Sequence, residues 1–198
     1  MIKYLGNKTI SFDIEELLKN IDVNKVAFIN DASRNLCPSA DSYREYEKLF
    51  NEHNTTKYSV APFSRHIFKE HLPHEIIDLI EDMGFTKYGC NLLVQHTGEV
   101  SPNHYDLFLY QINEVHKNTT KEDYYRYFIF LNDRTIGQFY HVGGSLRNAQ
   151  LEWKSGDMYY QDCNEYHGAG NIGKETRYTI IIDSLKSLHP FDYQEVVA

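Results

Sequence analysis

From Gly84 to Asp183 the apolar residues recur at every second position, in short runs broken by turn residues. A period of two is the mark of a strand that buries one face. The alternation predicts strands at Lys87 to Gln95, His104 to Leu109, Tyr125 to Leu131, Gln138 to Val142, Asp157 to Tyr160, around Tyr166 and His167, and from Thr176 to Asp183. Gly98, Asn132-Asp133, Gly143-Gly144, Ser155-Gly156 and Asn171 through Gly173 punctuate them, and these residue types favour tight turns. Many short antiparallel strands need their edges closed or covered, and a double-stranded β-helix, or jelly roll, does this with two facing sheets. The expected class is mainly β with flanking helices.

The helical signals are confined to the first 84 residues. Ser11 is placed to cap a helix carrying Ile14, Leu17, Leu18 and Ile21 on one face. A weaker pattern of Tyr43, Tyr46, Leu49 and Phe50 runs from Asp41 to about His53. Pro73 opens a third helix with Ile76, Ile77, Ile80 and Met83, and Gly84 closes it. These N-terminal helices are expected to buttress one sheet from outside. The irregular stretch from Val26 to Phe68 reads as a lid over the barrel mouth, and polar Ile112 to Asp123 reads as a second flap. At 198 residues the expectation is one domain, with a helical and lid region over 1–84 and a jelly-roll core over 85–185.

Within this pattern lies His104-Tyr105-Asp106, followed 61 positions later by His167. On an extended strand, residues i and i+2 share a side, so His104 and Asp106 are expected to face one point while Tyr105 turns away. Two imidazoles and one carboxylate occupy one face of an octahedral metal and leave the other open, the ligand set of non-haem Fe(II) centres that activate O2. His104, Asp106 and His167 are therefore the candidate metal ligands and catalytic residues.

Ten residues beyond His167, alternation in the last predicted strand puts Arg177, Thr179 and Ile181 on one face. A buried guanidinium without a carboxylate partner is costly, and no acid on that face is nearer than Asp183. A dicarboxylate ligand resolves the conflict, because arginine offers a planar fork and Thr179 a further hydrogen bond. Turn chemistry from Gly168 to Lys174 places His167 and Arg177 on adjacent antiparallel strands.

These residues resemble the 2-oxoglutarate and Fe(II)-dependent oxygenases, particularly small prolyl-hydroxylase-like members. The resemblance covers Cys90 to Asp183, about half the chain. Val94 to Asp106 is similar to the family's approach to its first two ligands. Trp153-Lys154-Ser155-Gly156-Asp157 followed by His167-Gly168-Ala169-Gly170-Asn171 resembles its Gly-Asp turn and distal ligand strand. Arg177 with Thr179 resembles the basic residue and hydroxyl that grip the far carboxylate of 2-oxoglutarate. Prolyl hydroxylases usually carry lysine where Arg177 stands and often tyrosine where Gln95 stands, so prolyl specificity does not carry over. The resemblance implies Fe(II), 2-oxoglutarate as cosubstrate and O2, with hydroxylation of a C–H bond and release of succinate and CO2. Asp106 favours hydroxylation over the halogenation of relatives that carry a small residue there.

A formal charge of −8 speaks against a nucleic-acid partner held through phosphates. A small-molecule or amino-acid-like substrate is the expectation, and oligomeric state is not legible. Cys37, Cys90 and Cys163 are too few and too scattered for a disulfide framework, and no run of about 18 apolar residues suggests a membrane span. A cytoplasmic protein is expected. His66, His71 and His74 read as surface or helix-start residues, His96 and His141 as structural, Trp153 as a core or wall residue, and Asp157 as a turn-former. Two other classes stay open: a cupin-like metal dioxygenase or isomerase that uses no oxo-acid, and a non-enzymatic jelly-roll binding module.

Overall fold

The computed structural model describes residues 2–22, 28–29, 65–104, 106, 108, 111–143, 151–162 and 165–191, apart from the side chains of 28–29, 102–104 and 113–114. Among the described residues, ten strands form two antiparallel sheets. The larger has seven: β1 (Lys3–Asn7), β2 (Phe28–Ile29), β3 (Arg65–Phe68), β4 (Tyr88–Gln95), β6 (Tyr124–Phe130), β8 (Asp157–Asp162) and β10 (Arg177–Leu185). Their order across the sheet is β1-β8-β6-β10-β4-β3-β2. The smaller sheet is β5 (Glu99–His104), β9 (His167–Asn171) and β7 (Gln138–Val142), in the order β5-β9-β7. This is the expected double-stranded β-helix with helices on one side.

Alternation along β10 shows how the layers arise. Tyr178, Ile180 and Ile182 face outward, where they pack with Ile14 and Leu18 of α1 (Ile14–Leu18) and Ile76, Leu79 and Ile80 of α2 (His74–Glu81). Ile67, Ile76, Ile80, Leu92, Ile180 and Ile182 are fully buried in this layer, each contributing about 1.5–3 kcal/mol by leaving water. Arg177, Thr179 and Ile181 face inward. Ile181 joins Leu93, Phe128, Phe130, Tyr140, Val142, Trp153 and Ala169 between the two sheets.

Several expectations are corrected. Asp13, not Ser11, caps α1, accepting from the backbone N–H groups of Glu15 at 2.9 Å and Glu16 at 3.2 Å. The expected strand from His104 to Leu109 ends at His104 instead. Pro102 has no N–H to give the ladder, and the register with β9 shifts between Ser101 and His104. Phe108 then takes φ +53, and a π turn follows over Gln111–Val115. The stretch read as a flap thus carries this π turn and a 3-10 turn, Lys121–Asp123. The sequence pattern missed β1, β2 and β3. The last two fall inside the presumed lid and extend the large sheet beyond β4; the rest of that lid and the helix expected from Asp41 to His53 lie outside the described residues.

His167 and Arg177 do not sit on neighbouring strands. β9 pairs with β5 and β7, whereas β10 pairs with β4 and β6. The connection between them crosses from one sheet to the other and is stitched there by side-chain amides. Asn171 Nδ2 donates to the carbonyls of Gln95 at 2.9 Å and Glu175 at 2.7 Å, and Gln138 Nε2 donates to Glu175 at 2.9 Å. Asp157 does form the turn assigned to it, accepting from Lys154 N at 2.8 Å. In that turn Gly156 has φ +86, and a Cβ there would meet the Lys8 carbonyl at 2.0 Å.

Candidate metal and anion site

The smaller sheet brings His104 and His167 directly opposite each other in register, with Val142 beyond His167. Positions facing one another in an antiparallel pair lie on the same side of the sheet. Asp106 follows just after the end of β5 and is buried. Its Oδ2 lies 3.5 Å from Nε2 of His167. Two ligand atoms at about 2.1 Å from one ion and about 90° apart stand roughly 3 Å from each other, so these two atoms are near that spacing. Among the described residues no three His, Cys, Asp or Glu side chains form a metal-holding group; the His104 side chain lies outside them.

The His167 ring is oriented from behind. Its Nδ1 is 2.9 Å from the Glu165 carbonyl, which can only accept, so Nδ1 carries the proton and Nε2 presents its lone pair. Gln161 Nε2 is 3.1 Å from the same Nδ1, and Gln161 Oε1 accepts from Tyr140 Oη at 2.7 Å. The Tyr140 ring stacks on that of His167, with centroids 5.7 Å apart. Burial first, and then the nearby Asp106 carboxylate, push the Tyr140 phenol well above its usual value, so it stays a donor.

Asp106 is held by Arg126, whose Nη1 donates to Asp106 Oδ1. Arg126 also clasps Asp183 through Nε at 2.7 Å and Nη2 at 3.0 Å, and Gln111 Nε2 adds a 2.5 Å bond to Asp183. Burial alone would lower the Arg126 guanidinium. The two carboxylates more than offset this and hold it firmly protonated. Asp183, the acid nearest to Arg177 on the same face, is thus committed to Arg126.

Arg177 is wholly buried and enclosed by aromatic rings. Its guanidinium carbon is 5.3 Å from the Trp153 centroid, 5.6 Å from Phe130 and 5.9 Å from Tyr140. Nη1 donates to Gln95 Oε1 at 2.9 Å and to the Phe139 carbonyl at 3.1 Å, and Nε donates to Thr179 Oγ1 at 3.3 Å. Nη2 has no hydrogen-bond partner. Every partner of this cation is neutral, and burial pushes its pKa down to about 10. Two of the three guanidinium nitrogens are thus engaged within the protein, and Nη2 is the one without a partner.

Arg126, Tyr140, Gln161 and the Phe139 carbonyl were not foreseen. Arg126 did carry a signal, since it shares a strand face with Phe128 and Phe130. The Phe139 carbonyl carries none at the level of residue type. The other expectations divide. His96 Nδ1 lies 3.2 Å from Thr176 Oγ1. His141 is buried and stacks on Phe139. Trp153 is a wall residue that borders Arg177.

No protein-family model matches the chain, and no curated protein matches it. Solved structures with similar folds include a non-heme alpha-ketoglutarate-dependent epimerase, SnoN of nogalamycin biosynthesis, at 12% identity and TM-score 0.45, covering 72% of each chain. A 2OG-Fe(II) oxygenase family oxidoreductase from Burkholderia pseudomallei overlaps at 16% identity and TM-score 0.42, over 61% of this chain and 67% of that one. A Cupin 2 conserved barrel protein from Salinispora arenicola overlaps at 13% and 0.39, over 63% and 78%. Overlaps of this size say nothing about reaction or ligand.

Proposed function

We propose that the chain is a 2-oxoglutarate- and Fe(II)-dependent oxygenase that hydroxylates a C–H bond of a small-molecule or amino-acid-like substrate, releasing succinate and CO2. The observation that carries this reading is Arg177: a fully buried guanidinium with neutral partners only and one nitrogen unanswered. A buried charge of that kind calls for an anion. The terminal carboxylate of an oxo-acid supplies one.

The residues also fit a ferrous ion. Asp106 Oδ2 and His167 Nε2 are close enough to share one, His167 has the tautomer that ligation requires, and His104 stands across from it. Iron with its oxo-acid would supply the oxidising chemistry when bound. The protein's part is to place and shield it. The Glu165 carbonyl and the stacked Tyr140 ring fix the His167 imidazole, Arg126 fixes Asp106, and Tyr140, Phe130 and Trp153 keep water from Arg177. The Tyr140 ring lies beside both residues, its centroid 5.7 Å from that of His167 and 5.9 Å from the Arg177 guanidinium carbon.

Mass spectrometry of a substrate panel, run with Fe(II) and with or without 2-oxoglutarate, tests the reading. The expected result is a product heavier by one oxygen only when the oxo-acid is present, with succinate in equal amount. Product formation independent of 2-oxoglutarate would favour the cupin-like alternative instead.

A further inference from the structure

Among the buried N–H groups of the described residues that have no acceptor, two belong to neighbouring side chains: Nη2 of Arg177 and Nε1 of Trp153. Arg177 is fully buried and Trp153 is 4% exposed. The guanidinium carbon lies 5.3 Å from the indole centroid. Trp153 is fixed in place, its ring stacked on Phe130 at 4.3 Å and its carbonyl accepting from Arg134 N at 3.2 Å. Buried indole N–H groups are ordinarily matched, and each unmet donor costs about 1–3 kcal/mol. Two such costs side by side point to a shared acceptor.

The remaining Arg177 nitrogens are spoken for by Gln95, Phe139 and Thr179. Thr179 Oγ1 receives the Nε proton and keeps its own for donation. Arg177 Nη2 and Trp153 Nε1 thus remain as buried donors without an acceptor, and the Thr179 hydroxyl proton lies close to the same guanidinium. A carboxylate, with two oxygens and no proton, is complementary to them.

We infer that Trp153 binds the cosubstrate directly, its Nε1–H donating to the terminal carboxylate of the oxo-acid beside Arg177 Nη2; this rests on the oxygenase reading above. Arg177 thus grips with one corner rather than two, and the indole takes the second oxygen. The pair discriminates by donor count. A terminal amide would set its own N–H against theirs, and a terminal methyl would leave both unmet.

Trp153 is the only tryptophan in the chain, so its emission reports on this contact without a label. With Mn(II)-loaded wild-type protein, 2-oxoglutarate changes that emission and 2-oxopentanoate, which lacks the terminal carboxylate, does not. Trp153→Phe keeps an aromatic ring against Phe130 but removes the N–H. By calorimetry it weakens 2-oxoglutarate binding roughly 10- to 100-fold, the range for a hydrogen bond to a charged group, while Mn(II) and 2-oxopentanoate bind as before. An unchanged 2-oxoglutarate affinity in Trp153→Phe overturns the inference and leaves the oxygenase reading standing, as does binding to the wild type without any change in emission. Failure of the wild type to bind 2-oxoglutarate overturns both. Should Trp153→Phe not fold, the wild-type emission comparison decides alone.

Discussion

Asp106 Oδ2 and His167 Nε2 stand 3.5 Å apart, brought together from the end of β5 and the start of β9. Neither residue is held by chance contact. Arg126 fixes the carboxylate and the Glu165 carbonyl fixes the imidazole, so the pair is oriented before any ion arrives.

Asp106→Ala, His167→Ala and His104→Ala are each expected to weaken Mn(II) binding by more than about 100-fold, at least the cost of losing an outer partner of a ligand. Electron paramagnetic resonance titration measures this, with circular dichroism to show that the sheets persist. Retention of tight binding by the His104 variant would remove that residue from the site.

Arg177→Met is expected to raise the 2-oxoglutarate concentration needed for half-maximal turnover by about 100-fold, because a buried charge-assisted hydrogen bond is lost. Under the oxo-acid-free alternative the same change leaves activity intact. The charged guanidinium is the form that attracts a carboxylate, and burial pushes its pKa down to about 10. Affinity measured by calorimetry is therefore expected to be flat from neutral pH upward and to fall as pH rises through about 10. The protein without ligand responds oppositely: the unfolded chain keeps its proton to higher pH, so folding stability rises through the same window.

Arg126→Gln leaves Asp106 and Asp183 buried without their cation. Urea unfolding is expected to show a loss of about 3–5 kcal/mol. Adding Asp183→Asn should restore part of it, since one uncompensated charge is then removed. Additive losses in the double variant would show that the two residues do not act as a pair.

The Cys90 thiol is buried, and burial pushes its pKa up to about 12. It is expected to resist iodoacetamide in the folded protein at pH 8.5 and to react after denaturation, as read by peptide mass mapping. Because the unfolded thiol ionises at lower pH, its contribution to stability is complete below about 9 and is lost as pH rises through about 12.

Much of this arrangement was legible from residue type and spacing. The alternation of Arg177, Thr179 and Ile181 against Tyr178, Ile180 and Ile182 assigned both faces of β10 correctly, because a strand's period is rigid and one wrong register would have buried the wrong set. The pairing of strands was less accessible. Turn residues between His167 and Arg177 are equally compatible with a hairpin and with a crossing between sheets, and only the amide contacts of Asn171 and Gln138 decide between them. Pro102 carried a warning against a strand running on through Asp106. Gln95 stood out only as a departure from tyrosine; its role as acceptor for Arg177 depends on the register of β4 against β10, which pairs the two residues directly.

The most direct test of the whole account is calorimetric titration of 2-oxoglutarate into the Mn(II)-loaded protein, repeated without metal and with Arg177→Met. Binding that is strong in the first case and greatly weakened in the other two is the expected result, since under the proposed function metal and guanidinium would hold opposite ends of one molecule. No binding to the metal-loaded wild type, or binding indifferent to both changes, would contradict it.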